Sequence, residues 1–324
     1  MEPPTPLSIK ETIAELGNSD QPLLSSRLVD LSNLNSEELR FLEQVWVEIE
    51  PERRRQIVYR LVELAEDNLQ LNFDSIFWNC LKDQDAEVRC KAIEGLWENE
   101  ETSLINPLIN LLEQDSLEKV QAAATTALGR FAMLAEHKKL RSCHASKVSQ
   151  ALLTALGDES KPIEVRRRAL EAAAPLSLPR VKKAIREAYQ SHNAKLRTSA
   201  IYAMGKSCDC SWLPVLVRGL ASTDVEIRYE AAGACGELGE EEAVPYLIKL
   251  TDDSDIDVQL AAIQALSKIG GTEAKECLAQ CLNNPNEVIS QMAEQALEEL
   301  KAGKDPFLFS FETVEGIEDF GQQD

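Results

Sequence analysis

The sequence predicts an all-α fold, an α-solenoid of about eight stacked helix pairs. Three observations predict it. The stretch DVEIRYEAAGACGELG, Asp224 to Gly239, is nearly rewritten as DIDVQLAAIQALSKIG, Asp255 to Gly270. The branched or aliphatic residue in the first turn of each such stretch recurs at steps of 32, 45, 31, 31, 31 and 31 residues, from Val88 through Val120, Val165, Leu196, Ile227 and Val258 to Ile289. Aromatic residues make up only 5% of a chain that is 44% hydrophobic. That balance suits helices packed through Ala and Leu better than a β-sandwich.

Residues 1–35 carry Pro3, Pro4, Pro6 and Pro22, with one capping-box helix start at SIKE, and are expected to be partly disordered. The repeat region is expected to span 36–302. Its first pair is SEELRFLEQVWVEIE followed by PERRRQIVYRLVELAED, in which Ile57 lies 31 residues before Val88. From Val88 on, each marker is followed at +4 by an alanine, from Ala92 to Ala293, and at +7 by Gly95 or an alanine. A stripe at 0, +4, +7 and +8 is one face of an α-helix, and alanine on it lets two backbones approach closely.

Asp85, Asn193, Asp224, Asp255 and Asn286 stand three residues before their markers, the place of an N-cap. Acids follow in the first turn, where the helix dipole favours them. Another apolar stretch precedes each of these helices, such as INPLINLLEQD or AVPYLIKLTDD. Each unit is therefore a helix, a short turn and a second helix. A lone pair cannot bury its apolar face, so the pairs must stack. The 45-residue step marks an insertion near 131–149, expected to be a longer second helix and a polar loop. The tail, 303–324, is acidic and holds Phe307, Phe309, Phe311 and Phe320; it is expected to cap the last unit, to dock on a partner or to stay disordered.

The motif DAEVRCKAIEGL at Asp85 to Leu96, repeated near every 31 residues over about four fifths of the chain, resembles the HEAT repeat in the short form of phycobilin-lyase-like proteins. The resemblance implies a right-handed superhelix and a structural ladder of Asp and Arg between neighbouring repeats. By position the ladder would use Asp85, Asp224 and Asp255 with Arg89, Arg166, Arg197 and Arg228, and it would be broken at Gln121, Gln259 and Ser290. It also implies that the second helix of each pair lines the concave side. Positions +2, +6 and +9 point away from the buried stripe and place Trp97, Arg167, Tyr202 and Tyr229 there as a candidate binding surface.

The formal net charge of −21 opposes polyanionic partners. Residues 130–197 are the exception, with 15 Lys and Arg against 6 Asp and Glu. No apolar run reaches the length of a membrane span, and the acidic, Pro-rich start lacks a signal pattern, so the expected location is cytoplasmic. The eight cysteines have no disulfide spacing. His137, Cys143 and His144 match no zinc pattern, nor do Cys208 and Cys210, so no metal site and no cofactor are expected. No catalytic residues are assigned. The paired His-Glu dipeptides of the family's iron-dependent deoxyhypusine hydroxylases are missing, because His137, His144 and His192 precede Lys, Ala and Asn.

The expected function is a non-catalytic protein-binding scaffold or adaptor, with protein partners that include ones bearing acidic segments. The alternatives are a pigment-handling enzyme like the phycobilin lyases and, further off, nucleic-acid binding through the basic belt.

Overall fold

Short polar side chains start several helices of this chain. In the computed structural model, which describes residues 8–18 and 21–302, Asp85 accepts hydrogen bonds from the backbone N–H groups of Glu87 and Val88, and Asp255 from those of Asp257 and Val258. Asn193 caps through Leu196 and Asp224 through Glu226. Each bond satisfies a donor that the helix itself leaves orphaned. Ser8 and Glu11 form a reciprocal capping box at the start of the first helix.

The described residues form 18 α-helices and no strand. Two short N-terminal helices, α1 (Ile9–Leu16) and α2 (Ser25–Val29), come first. Eight pairs follow. They are α3 (Ser36–Trp46) with α4 (Pro51–Asp67), α5 (Asp74–Cys80) with α6 (Ala86–Gly95), α7 (Ile105–Gln114) with α8 (Glu118–Glu136), and α9 (Ser142–Gly157) with α10 (Ile163–Ala173). Then come α11 (Pro179–Tyr189) with α12 (Ala194–Lys206), α13 (Leu213–Gly219) with α14 (Val225–Leu238), α15 (Val244–Leu250) with α16 (Ile256–Ile269), and α17 (Thr272–Cys281) with α18 (Glu287–Ala302). The chain is an all-α solenoid. It divides between Ser207 and Cys208 into two compact units. In the first, the second helices stack in the order α4, α6, α8, α10, α12; in the second, α14, α16, α18. The tail from residue 303, with the choice between cap and docking segment, lies outside the described residues.

The alanine at +4 makes the stacking possible. Ala92, Ala124, Ala169, Ala200, Ala231, Ala262 and Ala293 are all 0% exposed. Position +9, read from the sequence as outward, is instead buried at Ala174, Gly205 and Gly236. A second helix of a solenoid touches the helices before and after it as well as its own partner, so its buried arc is wider than one stripe. Gly236 shows how close the approach is. A Cβ there would lie 2.8 Å from the Cα of Ala265, so α14 and α16 meet backbone to backbone. The insertion lengthens two elements: α8 reaches 19 residues and α9 16, joined by a tight turn in which Lys138 has a φ of 59°.

The seam should resist added volume. Ala262→Leu forces extra methylenes between α16 and its neighbours and should cost about 1–3 kcal/mol. An unchanged urea midpoint would place this face in solvent.

Candidate functional site

The residues at the end of α6 leave a furrow between α6 and α8. Ile93, Leu96, Leu104, Leu108 and Phe131 form its floor, and Ala123 and Ala127 are too small to fill it. The result is a groove of about 660 Å³ on the first unit. That volume falls in the range of sites that accept a large side chain or a small ligand. Trp97 stands at the mouth, 57% exposed. The Arg130 guanidinium lies 5.9 Å from the centre of its ring and pairs with Glu100 at 2.9 Å. Lys119 pairs with Glu87 across the two helices. The rim is thus charged but balanced, and the interior is apolar.

Cys90 lines the groove and is half-buried, rather than a core cysteine. Burial pushes its thiol pKa up against the opposing pull of Lys119, so the group stays protonated at neutral pH. Among the described residues, no group of three or more His, Cys, Asp or Glu is arranged to hold a metal ion, and no helix is long and apolar enough to cross a membrane.

The other surface residues singled out from the sequence, Arg167, Tyr202 and Tyr229, do not line this groove. Arg167 is held from three directions. Its Nη1 is 2.9 Å from Glu164, its Nη2 is 3.5 Å from Glu171, and its Nε donates to Ser199 Oγ at 3.1 Å. Arg168 shares the same two carboxylates. Two of the three arginines in this run are therefore paired locally. Tyr202 is exposed on α12 with Lys206 near its ring, in the first unit. Tyr229 is exposed on α14, in the second.

The ladder residues form a definite pattern. Asp85, besides capping α6, receives Arg55 of α4 through Nε at 3.1 Å and Nη2 at 2.6 Å. The Arg55 hydrogen bonds hold the Asp85 pKa at about 2. A carboxyl depressed in the folded state adds stability above its unfolded value near pH 4, and that stability is lost as the pH falls toward 2. Asp224 and Asp255 serve as caps of their own helices.

Arg89 and Arg228 find other acids. Arg89 grips Asp115 with two bonds of 2.8 and 2.9 Å, and Arg228 grips Asp253 in the same way. Each of these aspartates lies five residues before its marker, not three. The third, Asp83, accepts Trp46 Nε1–H at 2.7 Å and sits 3.3 Å from Arg54 Nε. Arg197 instead donates to the carbonyls of Ser191 and His192 in its own turn, and Arg166 to that of Leu156.

The interruptions at Gln121 and Gln259 are partial. Arg89 and Arg228 each donate to the carbonyl six residues earlier, and Gln121 and Gln259 donate to the same position at Asp115 and Asp253. Glutamine keeps the backbone bond and loses only the ion pair. At Gln121 the link to the next repeat is remade by Lys161, whose ammonium bonds Gln121 Oε1 and the Leu112 and Glu113 carbonyls. At Ser290 the hydroxyl donates to the Leu282 carbonyl.

The family model for HEAT repeats matches residues 75–163 and 213–298. No curated protein sequence matches the chain. Among solved structures, yeast importin-beta (Kap95p) is similar with a TM-score of 0.55 at 12% identity, over 93% of this chain and 47% of that one. The Kap95:Nup1 complex is similar with a TM-score of 0.53 at 13% identity, over 93% and 46%. The complex of CpcE and CpcF of phycocyanin lyase from Nostoc sp. PCC7120 is similar with a TM-score of 0.51 at 15% identity, over 93% and 98%. At these identities the likeness is one of fold.

Proposed function

The chain belongs to the HEAT-repeat family, and from that premise we propose that it is a non-catalytic protein-binding scaffold whose first unit takes an apolar side chain of a protein partner in the α6–α8 groove. One observation carries this reading. An exposed tryptophan stands over an apolar furrow on the stacked second helices, with charged groups only at the rim. An exposed aromatic beside an apolar pocket with a polar border is the arrangement of a binding hot spot. The protonated thiol of Cys90 supports binding over nucleophilic chemistry. The complexes of the similar solenoids, Kap95 with Nup1 and CpcE with CpcF, support a protein partner.

Trp97→Ala should leave folding intact, because the side chain is exposed, and should weaken partner binding by about 2 kcal/mol or more if the residue is a hot spot. The check is recovery of a specific partner from native extract by wild-type and variant protein, with circular dichroism of both. Equal recovery would remove the groove from the binding surface. Absorbance beyond the protein's own ultraviolet bands in the purified native chain would redirect the groove to a pigment.

A further inference from the structure

We propose that a second surface on the first unit, the edge made by the α8–α9 turn and the start of α11, docks an acidic segment of a partner protein. This surface is separate from the α6–α8 groove, and the inference does not depend on the groove being occupied.

Two turns are clamped side by side to make the edge. Glu136, at the end of α8, accepts the backbone N–H of Ser177, just before α11, at 2.8 Å. The Ser177 bonds hold the Glu136 carboxyl below the usual range, so the clamp is ionised and already engaged. The α8–α9 turn is itself tied down, with Lys138 N–H donating to Ala135 O at 3.0 Å and Lys139 N–H to Leu134 O at 2.8 Å. Side chains on it are thus presented from a fixed backbone, which lowers the entropy cost of binding.

The clamp gathers positive charge. Lys138, Lys139 and Arg141 are exposed on one turn, and Arg180 and Lys183 are exposed on the first turn and a half of α11. None of the ion pairs among the described residues involves Lys138, Lys139, Arg141 or Arg180. Lys183 meets Glu187 at 3.4 Å, with both side chains largely in water, where such a pair contributes little. The first turn of α11 contains no acid, so the positive end of its dipole adds to the field. Basic residues at a helix start are disfavoured by that dipole, and the exposed pair of Lys183 with Glu187 offsets little of the cost. A negatively charged partner supplies the offset.

The rest of the molecule selects the class of partner. The neighbouring turn between α6 and α7, linked to α8 through Glu100 and Arg130, carries exposed Glu98, Glu100 and Glu101. The net charge of the whole chain is −21. A nucleic-acid duplex bears a charge about every 1.7 Å along its axis and would run from the basic edge onto this acidic surface. A short acidic peptide segment covers the basic edge and stops. Screening at physiological salt limits exposed charges to about 8 Å, so the attraction is local and strongly salt-dependent.

The test uses the full chain and a fluorescent oligoglutamate peptide, followed by anisotropy at low and physiological ionic strength. The triple reversal Lys139→Glu, Arg141→Glu, Arg180→Glu should weaken binding about tenfold or more, within the reach of charge complementarity at an interface. The control Lys10→Glu, Lys268→Glu, Lys301→Glu changes net charge equally and should bind nearly as wild type. Trp97→Ala should also bind as wild type, which separates this surface from the groove. Three results would overturn the proposal: no peptide binding by wild-type protein, equal weakening in both triple variants, or tighter binding of a DNA oligonucleotide of matched charge that the first variant abolishes. Circular dichroism of each variant guards against loss of fold.

Discussion

Asp83→Ala is expected to destabilise the first unit by about 3–5 kcal/mol, the cost of leaving one member of a buried ion pair alone. Asp83 and Arg54 have side-chain exposures of 2% and 9%. The carboxylate meets three groups at once: it accepts the Trp46 indole N–H and, at 2.7 Å, the Asp85 backbone N–H, and it balances the charge of Arg54, whose Nε lies 3.3 Å away. Alanine strands all three in a region from which water is excluded. Asp83→Asn should cost less, because the amide oxygen still accepts one of the N–H groups while the charge is lost. The exposed pair Lys10–Glu37 makes the contrast. Glu37→Ala should leave the urea midpoint nearly unchanged. Urea denaturation of the three variants checks the order. A loss below about 1 kcal/mol for Asp83→Ala would show the cluster to be wetter than its burial implies.

Phe77→Ala should cost a similar amount, about 3–5 kcal/mol, through lost burial and the cavity left behind. Phe77 is 1% exposed and meets Phe73 edge to face, with ring centres 6.3 Å apart. It is also the reason for Gly95. A Cβ at Gly95 would lie 2.6 Å from the Phe77 ring. Gly95→Ala alone should therefore destabilise by overpacking, although alanine is the better helix former. In the Phe77→Ala background the same change meets open space and should be neutral or stabilising. The double variant should be more stable than the sum of the singles predicts. Strict additivity would mean that the ring relaxes away from Gly95 at no cost.

These two sites mark what the sequence does and does not make readable. The solenoid is readable because one physical constraint, close approach of stacked helices, writes alanine at the same position in seven units. Caps are readable because an N-cap interaction is local and depends on three residues. The ladder acids are less so. Two aspartates stand near each helix start in DQDAEV and DSDIDV, at −5 and −3, and composition alone does not say which faces the previous repeat. A signal was present. Arg89 and Arg228 are followed in the next unit by Asp115 and Asp253 at −5, whereas Arg166 is followed by Ser191.

The groove was readable only in part. Trp97 stands out by its register, but Arg130 and Cys90 join it through packing between α6 and α8, a relation between repeats that no single motif contains. Arg167 illustrates the opposite case. Its register marks an open surface, yet Glu164, Glu171 and Ser199 take up its donors. Glu164 and Glu171 lie at −3 and +4 from it on the same helix, and such neighbours form ion pairs readily. The basic run VRRRAL is thus partly answered within its own turns, and the charge left for a partner lies on the α8–α9 turn and the start of α11 instead.

A protein partner is expected to occupy the α6–α8 groove. Photocrosslinking from position 126 tests it most directly. Thr126 is exposed on α8 and lines the groove without contributing to the floor. With a photoreactive amino acid in its place, irradiation in native extract should give one discrete protein adduct, and Trp97→Ala in the same chain should abolish it. An adduct unchanged by Trp97→Ala, or the absence of any protein adduct, would contradict the claim.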